Sequence, residues 1–234
     1  MPVGREDAPD MDDIIGGQFG SYLDAAQLEA LRNYAALLRE WNAKLNLISR
    51  KDVENFEAHH LLHALSPLKV LKFADRVRVL DVGSGGGLPG IPLAIAFPRA
   101  QFFLLDSMEK KIKALRDMVE RLGLKNVQIV HKRAEQLESK FDYVTGRAVA
   151  TLPDFIGWIA KNIRVGSHEG LENGILYFKG SLYKEELAAL SLEPLHVWDL
   201  REQLGHEYYA EKYLVHIGTQ AAQKAAVRLE AQKK

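Results

Sequence analysis

Residues 77–90 read V-R-V-L-D-V-G-S-G-G-G-L-P-G, and this stretch decides the fold. An apolar run ending in Asp81 predicts a short strand. Gly83, Gly85, Gly86, Gly87 and Gly90 follow in a turn, and Pro89 can open a helix at its first position. Four glycines in the five positions 83–87 permit positive φ and clear every Cβ from the path. The backbone can then approach a nucleoside while the helix start offers free N–H groups. A plain strand-to-helix turn needs far fewer glycines, so the stretch reads as a ligand loop.

Downstream, strand-like runs at 101–105, 127–130, 141–145 and 175–178 alternate with helical patterns at 109–122, 152–163 and 184–190. That alternation predicts an α/β protein with a parallel sheet and helices on both faces. Runs at 195–200 and 208–217 show no helical pattern between them and predict an antiparallel hairpin at the sheet edge. The stretch 164–174 reads as a flexible turn on the side away from the ligand loop. Upstream, Ser21 can cap a helix with Asp24 in its first turn, and Leu28, Leu31, Ala35, Leu38, Trp41 and Leu45 follow the helical period. A second helical pattern over 52–71 is broken at Pro67. The expected division is a flexible leader over 1–20, a helical cap over 21–72, a nucleotide-binding domain over 73–219, and a tail over 220–234 that is solvated helix or disorder.

With 47% apolar residues among 234, the chain can bury one full core. Lys plus Arg equals Asp plus Glu at 31 each, so any nucleic-acid surface must come from local clustering. The absence of cysteine removes disulfides, thiolate nucleophiles and zinc–thiolate sites. With no apolar leader and no run of membrane-spanning length, a cytoplasmic location is expected, with no membrane partner.

In such a sheet, ligands sit beyond the carboxyl ends of the strands. The first strand gives the glycine loop. The second ends at Asp106, where a carboxylate can accept both hydroxyls of a ribose or, alternatively, cap the following helix. The third leads to Ala134 and Glu135, the fourth ends at Gly146 and Arg147, and the fifth at Lys179 and Gly180. Gly85, Gly87 and Gly90 also satisfy G-x-G-x-x-G, and Tyr208 with Lys212 satisfies a Y-x-x-x-K spacing, so a nicotinamide oxidoreductase stays open. In a strand pattern, however, those two side chains would sit a dozen ångströms apart by strand rise.

The register Asp81-x-Gly83-x-Gly85-x-Gly87 resembles motif I of class I S-adenosylmethionine-dependent methyltransferases, whose Rossmann-like sheet of about seven strands also fits the pattern. Five segments narrow the resemblance: W-N-x-x-x-N-L-I-S at 41–49, G-S-G-G-G-L-P-G-I-P-L at 83–93, L-L-D-S at 104–107, R-A-V-A at 147–150 and F-K-G at 178–180. Over about 22–217 the chain resembles the RsmG (GidB) family of bacterial 16S rRNA guanine-N7 methyltransferases. The resemblance implies S-adenosyl-L-methionine as cofactor, with contacts at Gly83, Leu88, Ala134, Glu135 and Arg147, alongside Gly85 and Gly87 of motif I and Asp106 on the ribose. It implies 16S rRNA or the small ribosomal subunit as partner; a monomer without metal is expected. Where the family reads H-x-x-D-S, this chain has His60-Leu61-Leu62-His63-Ala64, leaving the role of the family aspartate open.

By its motif position, His60 is expected to face the cofactor cleft. His59 and His63 lie one helical turn apart, but no third metal ligand is evident. Trp41 reads as core rather than as a base-stacking platform. Guanine N7 carries an in-plane lone pair and no proton to remove, so in-line displacement needs positioning rather than a general base. This fits a fourth strand ending in Gly146-Arg147 without an N-P-P-Y motif. Arg147 could hold the cofactor carboxylate, the guanine oxygen or phosphate, and Lys179 could hold RNA phosphate. The cations Lys110, Lys111, Lys113, Arg116, Lys132, Arg133, Lys161, Arg164 and Lys184 add local positive charge, although a solvated face would look the same. A cofactor-binding module without catalysis is the third reading.

Overall fold

The computed structural model describes residues 11–232. Seven strands form one sheet: β1 (Arg78–Val82), β2 (Gln101–Asp106), β3 (Val127–His131), β4 (Tyr143–Arg147), β5 (Gly174–Lys179), β6 (His196–Asp199) and β7 (Tyr213–Gly218). Their order is β3-β2-β1-β4-β5-β7-β6. The first five run parallel, and β7 pairs antiparallel with both β5 and β6. The strand order reverses beside β1, so the loops after β1, β2, β3 and β4 open on one crevice.

Side-chain alternation divides the core into two layers. Val79 of β1 joins a cluster with Phe102, Leu104 and Tyr143, whereas Leu80 packs with Val144, Ile175 and Ile217 on the other face. The first layer takes in α1 (Ala25–Asn42), the turns over 57–69, α2 (Gly90–Ala96) and α3 (Glu109–Arg121). The second takes in α4 (Leu152–Ile159), α5 (Tyr183–Ala189) and α6 (Thr219–Gln232).

Several expectations need correction. Asp24, not Ser21, caps α1: its Oδ1 accepts the Gln27 N–H at 2.8 Å while the Gln27 side chain accepts the Asp24 N–H at 2.9 Å. Residues 1–10 of the expected leader lie outside the described residues, but 11–20 is folded, with Ile15 and Phe19 fully buried. The second helical pattern resolves into short helical turns, Glu57–Leu61, Leu62–Leu65 and Ser66–Lys69. Between β6 and β7 the chain forms a helix, Leu200–Leu204, and a turn, Glu207–Tyr209, where no helix was expected. The 164–174 turn carries a hairpin, Ser167–His168 with Leu171–Glu172, tied down by the Tyr143 hydroxyl donating to the Leu171 carbonyl. The expected tail is helix α6, and Ala222 and Ala225 are buried in the second layer.

The helices before β1 are seated on the glycine loop itself. The Tyr34 hydroxyl donates to the Gly86 carbonyl at 2.9 Å. A Cβ at Gly86 would lie 2.9 Å from the Leu38 side chain, so this close approach requires glycine. Asn42 Oδ1 accepts the N–H groups of Leu47 and Ile48, turning the chain after α1 back over the loop. Trp41 packs against the core and donates from Nε1 to Asp117 on α3.

Candidate active site

Two adjacent cavities open at the carboxyl ends of β1–β4. One, of about 310 Å³, is lined by Asp106, Met108, Ala134, Glu135 and Trp158 among others. The second, of about 360 Å³, is lined among others by Leu88, His60, His63, Arg147, Tyr208 and Lys212. Gly83, Lys111 and Ala148 border both. The glycine loop is therefore the partition of one divided crevice.

Local sequence explains how the loop is held. Gly83, Gly85 and Gly87 all adopt positive φ. Asp106 combines both readings of its carboxylate. Oδ2 accepts the Gly85 N–H at 3.1 Å, Oδ1 accepts the Met108 N–H at 2.9 Å ahead of α3, and the group still borders the first cavity. A carboxylate offers about four lone-pair sites; the Lys111 ammonium also lies 3.8 Å from Oδ2, and the remaining capacity is open to a ligand. Asp106→Ala should therefore weaken binding of a nucleoside ligand by about 1–3 kcal/mol and also lower ligand-free stability, because the Gly85 and Met108 N–H groups lose their acceptor. A stability loss with unchanged affinity in calorimetry would leave only the cap.

Beneath the loop, Asp81 is fully buried, with Oδ2 accepting the Gly90 N–H at 3.2 Å and Oδ1 without a hydrogen-bond partner. Burial pushes its carboxyl up to about 7, against the opposing pull of Ser84, Gly90 and Arg147. A carboxyl raised on folding stabilises the fold while protonated, and that contribution is lost as pH rises from about 4 to about 7. Asp81→Asn should accordingly melt above the wild type at pH 8 and close to it near pH 4. Equal melting points at pH 8 would show that burial does not raise the Asp81 carboxyl.

Arg147 ends β4 at the second cavity. Among the described residues no carboxylate pairs with it and no hydrogen bond from its side chain is found. Desolvation lowers its pKa, with Tyr34, Asp81, Tyr208 and Tyr209 pulling the other way. A half-buried guanidinium that lines a cavity with no carboxylate partner suits an anionic group there. Burial first, and Arg147 second, push His60 down to about 4 and hold His63 well below the usual imidazole range. Both imidazoles are thus neutral at pH 7, and each has an Nε2 with no hydrogen-bond partner.

The structure brings Gly83, Gly85, Leu88, His60, Asp106, Ala134, Glu135 and Arg147 together around the crevice. Gly87 shapes the loop from behind, where a Cβ would strike Ile91 at 2.4 Å. Lys179 does not line either cavity; its Nζ lies 2.7 Å from Glu186 Oε2. Of the expected cations, Lys111, Lys132 and Arg133 border the first cavity, while Lys161 donates to the Glu135 carbonyl and Arg164 sits by Asp142.

Sequence reasoning missed Met108 and Trp158, which flank the first cavity and had no motif to single them out. It also misplaced Tyr208 and Lys212. Tyr208 lies in a helical turn rather than a strand, and the Lys212 ammonium sits 3.9 Å above its ring while donating to its backbone carbonyl. Tyr208 also stacks on His59, with ring centroids 3.5 Å apart. The Lys212 ammonium is engaged on the ring face and the carbonyl, so this pair lacks the arrangement the oxidoreductase reading needs. His59 Nδ1 lies 3.2 Å from Asp52 Oδ1. Among the described residues no group of three or more His, Asp or Glu could hold a metal ion, and no helix is long and apolar enough to cross a membrane.

The family described as rRNA small subunit methyltransferase G (GidB) matches residues 27–197. The chain belongs to this family. It is 42% identical over 207 residues to Ribosomal RNA small subunit methyltransferase G of Flavobacterium johnsoniae, covering 88% of this chain and 97% of that one. A relative of the same name from Phocaeicola vulgatus is 42% identical over 181 residues, covering 77% and 86%. Among solved structures, StiE O-MT residues 961–1257 superposes with a TM-score of 0.53 at 12% identity, over 79% of this chain and 84% of that one. The fold is that of class I S-adenosylmethionine-dependent methyltransferases.

Proposed function

We propose that this protein transfers the methyl group of S-adenosylmethionine to N7 of one guanine in 16S rRNA of the small ribosomal subunit. The single observation that carries the cofactor reading is the unpaired Arg147 guanidinium, in a cavity that shares Gly83 of the glycine loop with the cavity bordered by the Asp106 carboxylate. An amino-acid carboxylate at Arg147 and a ribose at Asp106 are the two ends of one nucleoside–amino-acid ligand. The apolar surfaces of Met108 and Trp158, with Ala134 and Glu135, border the space left for its base. The family supplies the substrate class.

When bound, the sulfonium supplies an activated methyl carbon. The chain itself has only to hold the acceptor in line, because guanine N7 presents a lone pair without a proton. Methylation there leaves a positive charge on the purine. Burial with Arg147 keeps His60 and His63 neutral, so the two imidazoles add no charge beside that product. The exposed Lys132 and Arg133, which border the first cavity, are point charges for RNA phosphate. Thermal stabilisation by S-adenosylhomocysteine but not by NADP tests the cofactor reading; stabilisation by NADP alone would overturn it.

A further inference from the structure

The loop after β4 carries four residues, Ala148 to Thr151, between Arg147 and α4. Ala148 adopts φ +54, a left-handed conformation that a non-glycine residue takes only when its surroundings impose it. Ala148 and Val149 border the crevice, and Val149 methyls stand 2.9 and 3.0 Å from where a Gly83 Cβ would be. The placement of this loop therefore sets the gap between Arg147 and the glycine loop.

Two contacts hold it from behind. The Tyr177 hydroxyl donates to the Ala150 carbonyl at 2.8 Å and accepts the Ala150 N–H at 3.2 Å. Glu186 Oε2 accepts the Leu152 N–H at 3.1 Å, at the first residue of α4. Both contacts converge on Lys179. Its Nζ lies 2.7 and 2.9 Å from the two Glu186 oxygens and 5.4 Å from the Tyr177 ring centre. The pair is mostly buried, with 14% and 18% of the two side chains exposed. A carboxylate buried to that degree keeps its place only with a counter-charge.

We infer that Lys179 is a positioning residue for the cofactor: through Glu186 it fixes the 147–152 loop, and it makes no RNA phosphate contact. This rests on the cofactor reading above. Lys179→Met, Glu186→Gln, their combination and Lys179→Arg test it by calorimetry with S-adenosylhomocysteine, by the salt dependence of 16S rRNA binding, and by amide hydrogen exchange of the ligand-free protein over 147–155.

Lys179→Met and Glu186→Gln should each weaken S-adenosylhomocysteine binding by about tenfold, and the double variant no further than the weaker single, because the two act as a unit. Lys179→Arg, which keeps the ion pair, should stay close to wild type. Exchange over 147–155 should accelerate in Lys179→Met without any ligand present, and the salt slope for RNA should not change. Unaltered S-adenosylhomocysteine affinity with a salt slope lower by about one would overturn the inference in favour of a phosphate contact. Multiplying single effects, or a lowered melting point with unchanged affinity and loop exchange, would overturn it as well. If Lys179→Met does not fold, Glu186→Gln decides by the same readouts. A wild type that fails to bind S-adenosylhomocysteine would sink the cofactor reading, and the exchange measurement would still judge the loop.

Discussion

Arg147→Ala lowers affinity for S-adenosylhomocysteine by roughly 30- to 1,000-fold in calorimetry, the equivalent of about 2–4 kcal/mol for deleting one partner of a desolvated charged pair. The same substitution should leave the melting point of the ligand-free protein close to wild type. Without a ligand the half-buried guanidinium makes no ion pair among the described residues, so the fold does not depend on it. Loss of binding without loss of stability is the signature of a residue kept for its ligand. Unchanged affinity with lower stability would make Arg147 structural, and the anionic end of the ligand would have to lie elsewhere.

Gly85→Val should abolish measurable binding in the same assay while the ligand-free protein stays folded. Gly85 holds φ +56, and the nearest atom to its missing Cβ is the Gly83 carbonyl oxygen at 3.8 Å. The fold has room for a side chain there, so the cost is the left-handed backbone, about 1–3 kcal/mol. The Gly85 N–H bond to Asp106 and the space beside it go with the altered loop. Binding within a few-fold of wild type would mean that the loop serves the fold and not a ligand.

Much of this was legible in the sequence for local physical reasons. The strand-to-loop run at 77–90, the acidic end of β2 and the turn at Ala134–Gln136 each depend on neighbours close in the chain, and all three reach the crevice. What stayed hidden depends on partners far apart in the chain or on weak patterns. Lys179 read as a free cation because the acid that neutralises it, Glu186, sits on a helix pattern of its own. Ile15 and Phe19 lie in a glycine-rich stretch without obvious period, yet both are fully buried. The α6 helix packs through Ala222 and Ala225, which are too small to mark an apolar face. Tyr208 looked like part of β7, but the chain turns at Glu207–Tyr209 and lays its ring on His59, about 150 residues earlier.

The central claim, methyl transfer to guanine N7 in small-subunit rRNA, is tested most directly by incubating the protein with methyl-tritiated S-adenosylmethionine and 16S rRNA or small ribosomal subunits, then digesting the RNA to nucleosides. Label is expected in 7-methylguanosine, arising from a single nucleotide and lost in Arg147→Ala. Label in an exocyclic-amine or ribose-methylated product, or none on either RNA substrate with a protein that binds the cofactor, would contradict it.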